Sequence, residues 1–267
     1  MSSDRILFIM EGKRDAKILN HLVSAYSERL GISENVIVAY TSNIYSLYNE
    51  LRNLENSEGE FADFIEILKE RSLESSEKLG SYSRDDFSQI FLFFDLDIHK
   101  RDLKIALRQL TEMSKKFDNE TENGKFYISY PMVEAADMCG RVDGLFDGKQ
   151  KLFLVEDCEN DGFKKFKNEM WRINKGKMIP ASKNKEDWDQ IIGFNFEKAN
   201  WIVNKIEPKE ALCAKDLENL TQQKILESES DFVENQKAVA VLSAYPFWLM
   251  EYLGIKRLEN LIHAFPA

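Results

Sequence analysis

Short apolar runs alternate, along the first half of the chain, with longer stretches in which apolar residues recur every three or four positions. Residues 5–10 (RILFIM), 36–40 (VIVAY), 90–94 (IFLFF) and 126–130 (FYISY) are short and almost wholly apolar, which predicts buried strands. Between them, Ile18, Leu19, Leu22, Val23, Tyr26 and Leu30 predict a helix over 15–30. Ile44, Leu47, Tyr48, Leu51 and Leu54 predict a second helix, and residues 103–117 a third. Strands alternating with helices imply an α/β fold with a mostly parallel sheet covered on both faces. Residues 55–88 are charged and Ser-rich around a helical stretch at 61–73, and read as an insertion or solvated excursion. Past residue 148 the pattern becomes mainly helical, over 187–203, 209–226 and 232–253. The expected division is an α/β domain over 1–147 and a helical C-terminal region over 148–267, with no internal repeat.

At 267 residues the chain can bury a large core as one domain or two modest ones. Its cysteines, Cys139, Cys158 and Cys213, form no CxxC pair, which argues against a disulfide framework or thiolate zinc site and for a reducing, cytoplasmic setting. The apolar start is broken by charge within a few residues, so neither a signal peptide nor an anchor is expected. The most apolar stretch, 238–255, contains Pro246 and Glu251 and reads as a buried helical hairpin; no membrane partner is expected.

A net charge of −10 excludes a protein that coats nucleic acid by bulk electrostatics. The distribution changes that picture locally. Residues 160–185 hold Lys164, Lys165, Lys167, Arg172, Lys175, Lys177, Lys183 and Lys185 against Asp161 and Glu169. Phe163, Phe166 and Trp171, interleaved with these cations, are candidates to stack on unpaired bases, or else form the buried face of a solvated helix.

Ligands of a parallel sheet gather at the carboxyl ends of its strands. Glu11 follows the first strand directly, and Asp95 and Asp97 follow IFLFF, where extended geometry would put both carboxylates on one side. Clustered carboxylates repel, and Mg²⁺ or Mn²⁺, which prefer oxygen ligands, would relieve the repulsion. Asp15, four residues after Glu11, and Glu134, just after FYISY, are further metal-ligand candidates, or simply helix-start acids. Lys13 and Lys100 flank the acids and are candidates to neutralise a phosphate, as is His99, unless all three are merely solvated. Gly12 would allow a tight turn.

Glu11-Gly12 in IMEGKRD and Asp95-Leu96-Asp97 in FLFFDLD resemble the TOPRIM family, with a Glu after the first strand and a DxD pair after a later one. The resemblance spans roughly residues 5–140. It is strongest to the compact TOPRIM nucleases of bacterial anti-phage systems, related to the overcoming-lysogenization-defect nucleases. It implies a TOPRIM/Rossmann-like sheet and Mg²⁺- or Mn²⁺-dependent phosphodiester cleavage of DNA or RNA, transfer RNA included. Glu11, Asp95 and Asp97 carry over directly, Asp15 matches a frequent second acid, and Glu134 in YPMVEAAD matches more weakly. A defence ATPase as partner and a homodimer are compatible with it.

Two other classes compete. FLFFDLD superficially matches the nucleophile strand of haloacid-dehalogenase phosphatases, but Ile98 and His99 stand where that family has Gly and Thr or Val. A non-catalytic interaction module would use the apolar run 239–253, with Tyr245, Phe247 and Trp248, as its contact surface; the same run also reads as core.

Overall fold

The computed structural model describes residues 5–58, 64–97, 103–137, 152–155, 164–173, 184–206, 212 and 214–262. Five strands, β1 (Arg5–Met10), β2 (Glu34–Ala39), β3 (Gln89–Asp95), β4 (Asp118–Asn119) and β5 (Gly124–Ser129), form a sheet in the order β2-β1-β3-β5-β4. The first four strands in that order run parallel, and β4 closes the edge as an antiparallel partner of β5. The chain is therefore α/β with a mostly parallel, mixed sheet.

Both faces of the central strands are buried, which is why β1 and β3 read as unbroken apolar runs rather than alternating ones. On one face Phe93 stacks with Tyr127 at 5.4 Å between centroids, and Phe8 lies 5.6 Å from Phe91. On the other, Phe94 meets Tyr40 at 5.8 Å and Phe126 at 6.1 Å. Gly124 opens β5 at φ +111°, and a Cβ there would lie 2.7 Å from Leu92 Cδ1, so only glycine lets β5 approach β3.

Helix α1 (Lys13–Ala25) ends at Tyr26 rather than running on to 30; a separate turn of helix, α2 (Ser27–Leu30), follows and stops at Gly31 in the left-handed region. Helix α3 (Ile44–Glu58) is followed by α4 (Phe64–Arg71) and α5 (Leu73–Leu79), and these correct the expectation of a solvated excursion. Ile65, Leu68, Leu79 and Phe87 from this stretch are buried. Lys78 Nζ donates to Ile37 O at 3.0 Å and Ser75 Oγ to Ala39 O at 3.4 Å, so the segment covers the exposed edge of β2. Ser72 caps α5 by accepting from the Ser75 N–H at 3.0 Å. Helix α6 (Leu103–Lys116) leads into the β4–β5 hairpin.

The later half contributes β6 (Leu152–Leu154), α7 (Lys164–Ile173), α8 (Lys185–Asn204), α9 (Ala214–Glu218), α10 (Gln222–Gln236), β7 (Ala238–Ala240), α11 (Ala244–Leu253) and α12 (Ile255–Ile262). The single helix expected over 232–253 is broken. Lys237, at φ +53°, ends α10, and β7 then pairs antiparallel with β6. Leu242 bridges Tyr130 through hydrogen bonds of 2.7 and 2.9 Å, tying the chain after β7 to the end of β5.

That stitch delivers α11 to the aromatic face of the sheet, where Trp248 meets Phe8 at 5.4 Å and Tyr245 stacks on Phe93 at 5.2 Å. The boundary expected at 147 falls outside the described residues, but packing is continuous between the sheet and the helices beyond it. Among the described residues, no helix is long and apolar enough to cross a membrane.

Candidate functional site

The parallel register brings the carboxyl ends of β1, β3 and β5 level with one another, and the acids collect there. Met10 lies opposite Phe93 and Asp95 opposite Ser129. Continuing that pairing, the Glu11 N–H donates to Phe93 O at 2.9 Å, and the Asp95 N–H donates back to Glu11 Oε2 at 3.0 Å. Asp15 reaches the same place from the first turn of α1, where the Gly12 N–H faces its carboxylate. Gly12 itself is extended, at φ −143°, so its role is not the tight turn expected of it.

β3 stops at Asp95, and Asp97 turns away at φ +38°, a left-handed conformation that Asp tolerates better than most residues. The two carboxylates thus do not lie side by side on an extended strand as expected. Asp95 is buried, whereas Asp97 is partly exposed and acts electrostatically on Glu11. Its N–H donates to Pro131 O at 3.4 Å, and the Leu96 N–H donates to Ser129 O at 3.0 Å, which fixes this turn to the end of β5. Tyr45 of α3 donates its hydroxyl to Leu96 O and braces the turn from the other side.

Desolvation dominates the electrostatics. Burial pushes Glu11 up to about 8, against the Asp95 N–H that favours its ionised form, and Asp15 and Asp97 add repulsion. Burial likewise pushes Asp15 up to about 7; its own N–H, the Tyr245 hydroxyl and the Gly12 N–H oppose this, and Glu134 adds to it. Asp95 is held well above the usual carboxylate range by burial first and then by Glu11 and Asp15, with the Val133 N–H opposing. Asp95 Oδ1 and Glu134 Oε2 are buried and accept no hydrogen bond among the described residues.

Two cations stand at the rim. Arg14 Nη2 binds the fully buried Asp137, and its Nη1 lies 3.6 Å from Glu134 Oε1. Lys167 of α7 reaches the same Glu134 oxygen at 3.5 Å. Lys13, by contrast, points away: it is 73% exposed and pairs with Glu74 at 3.0 Å. Helix periodicity explains the exchange, since Arg14 and not Lys13 lies on the side of α1 that faces the turn Val133–Asp137.

Sequence reasoning passed over Arg14 and Asp137, and named Tyr245 only as part of an apolar contact surface, not as a partner of Asp15. Asp137 stands three residues after Glu134, a spacing that carries both acids on one side of a helical turn. Tyr245 lies 3.3 Å from Asp15 Oδ1, across 230 residues of chain, and no local spacing could have signalled it. Lys164, Lys165 and Lys167 are exposed on α7; the side chain of Arg172 and all of His99, Lys100, Lys175 and Lys177 lie outside the described residues. Tyr245, Phe247 and Trp248 are buried, so the apolar run 239–253 is core.

Among the described residues, no three His, Cys, Asp or Glu side chains already surround one ion-sized point. By chemical type the donors nonetheless fit a hard divalent cation: all are carboxylate oxygens, and Asp95 and Glu134 each present one with unmet capacity. Comparison of the chain with protein-family models, with curated proteins and with solved structures gives no match.

Proposed function

We propose that this chain is a divalent-metal-dependent phosphodiester hydrolase, a nuclease with a TOPRIM-like sheet. The observation that carries the reading is the convergence of buried Asp15, Asp95 and Glu134 with part-buried Glu11 beside the carboxyl ends of β1, β3 and β5, where Glu11 and Asp15 raise Asp95, Asp15 raises Glu11, and Glu134 raises Asp15. A protein stabilises such like charges either by protonation or by a cation, and the unpartnered Asp95 Oδ1 favours the cation. Glu11, Asp95, Asp15, Asp97 and Glu134 are the residues that would hold Mg²⁺ or Mn²⁺. The ion would supply an activated water and stabilisation of the leaving oxygen in an in-line displacement at phosphorus.

The remaining residues have separable tasks. Tyr245 holds Asp15 by its hydroxyl, and α11 seals the floor of the site against solvent. Arg14 and Lys167, which lean on Glu134, are the cations available to grip the non-bridging oxygens of a phosphate. Within this reading the chain serves as the toxic effector of an anti-phage system, acting on DNA or on RNA such as transfer RNA beside an ATPase partner. The resemblance of IMEGKRD and FLFFDLD supports that role, and growth arrest on expression, relieved by Glu11→Gln, tests it.

The deciding experiment incubates the purified chain with labelled single-stranded DNA, duplex DNA and transfer RNA in Mg²⁺, Mn²⁺ or EDTA, beside Glu11→Gln and Asp95→Asn. Cutting that needs metal and is lost in both variants supports the reading. Undiminished metal-dependent cutting by both variants would sink it.

A further inference from the structure

Helix α7 carries two unlike faces. Phe166 and Met170 are buried, with Phe166 against Phe153 at 5.1 Å between centroids. Lys164, Lys167 and Trp171, spaced by three and then four residues, form one ridge on another side of the helix. Trp171 is 58% exposed, while Trp188 and Trp248 are fully buried. Among the described residues no ring contact or hydrogen bond involves the Trp171 indole, and an exposed indole one turn from lysines stands out on a chain of net charge −10.

The ridge also has a direction. Lys167, the middle of the three, lies one helical turn from Trp171 and reaches to 3.5 Å from Glu134 Oε1, so the ridge meets the rim of the acidic group at its centre, with Trp171 one turn away in solvent. A phosphate backbone is drawn to the lysines, and an indole offers a flat apolar face to a base. In a duplex those base faces are covered by their neighbours; only an unpaired strand can present them.

We propose that the ridge Lys164–Lys167–Trp171 is a stacking platform for unpaired nucleic acid, which selects single strands and feeds them to the acidic site. The proposal rests on the nuclease reading for its substrate class, but its binding step is measurable without cleavage. The base stacks on Trp171, the adjoining phosphates sit on Lys164 and Lys167, and the next phosphate along the strand arrives beside Arg14.

The test titrates oligothymidylate of about 15 nucleotides, and a hairpin duplex of equal length, into the full chain in EDTA, reading anisotropy and tryptophan fluorescence. Oligothymidylate binds more tightly than the duplex and quenches emission. Trp171→Ala weakens it roughly 10-fold, Trp171→Phe weakens it less, and Lys167→Gln lowers the salt slope by about one. In Mn²⁺, Trp171→Ala raises KM for oligothymidylate far more than for bis(p-nitrophenyl) phosphate, which has no strand to stack.

Equal binding by Trp171→Ala, or preference for the duplex, overturns the platform. So does displacement of oligothymidylate by polyglutamate with the same dependence on Trp171, which would make the ridge a site for an acidic protein. If wild type hydrolyses nothing and the Trp171 effect on binding persists, the hydrolase reading fails and the platform stands. If hydrolysis needs metal and Trp171→Ala binds as wild type does, the platform fails and the hydrolase reading stands.

Discussion

Among the described residues, two clusters of buried charged side chains differ in the sign of their neighbours. At the strand ends Glu11, Asp15 and Asp95 face one another, so burial and repulsion both push their proton affinities upward. Between α8, α10 and β7, Lys198 and Glu229 are fully buried together; burial pushes Lys198 down to about 7 and Glu229 up to about 8, while each favours the charged form of the other. Glu229 Oε2 accepts the Ala240 N–H at 3.0 Å, and Lys198 Nζ stands over the Phe194 ring at 5.5 Å. Burial alone therefore does not mark a site. What separates the two places is like charge against opposite charge, and an open rim at Arg14 and Lys167, part exposed, against a sealed interior.

The comparison is broken most directly by activity. Asp95→Asn should reduce metal-dependent cleavage on the order of 100-fold or more, whereas Lys198→Met should leave the turnover of folded protein near wild type, measured on the same labelled strand. A strong loss at Lys198 would make the second place part of the machinery. Stability separates them next. Glu229→Leu removes the buried partner of Lys198, whose proton affinity then falls further, and should cost about 3 kcal/mol in denaturant unfolding; adding Lys198→Met should restore most of it.

Asp95→Asn should move stability the other way, raising it by about 1 kcal/mol as like-charge repulsion is removed. The smallest effect is the pH trend. Glu11 and Asp15 have folded values raised from 4.5 and 3.8 to about 8 and about 7, so the stability they contribute is fully present below about pH 4 and is lost as pH rises through 7 to 8. Glu229 adds to that fall; Lys198, lowered from 10.5 to about 7, opposes it, since its stability contribution improves as pH climbs above 7. Melting temperature from pH 5 to 8 should thus decline in wild type without added metal, and less steeply in Asp95→Asn.

The strands were legible because sheet burial on both faces writes itself as short apolar runs, and three of the five candidate acids could be placed from the order of strands and helices. Glu11 and Asp95 come together because β1 and β3 are neighbours, and Asp15 because α1 starts beside them. The left-handed turn at Asp97 was not legible, since an extended DxD and a turned one have the same sequence. Nor was the break at Lys237, where pairing of Ala238–Ala240 with β6 overrides a helical pattern. Strands of two or three residues, such as β4, β6 and β7, are too short to show any period. Arg14 was one cation among many until the turn Val133–Asp137 was seen to lie opposite it.

The bridge between Tyr130 and Leu242 has a consequence in time as well as in space. During synthesis the acids of β1, α1 and β3 emerge first, but the helix that covers them is held by a pairing that only the last part of the described chain can make. A ribosome-bound intermediate thus carries Glu11, Asp15 and Asp95 without Tyr245, leaving the pocket wet and Asp15 unbraced. If the proposed hydrolysis takes place here, a product truncated before β7 lacks Tyr245 and α11 and should be inert in the cleavage assay.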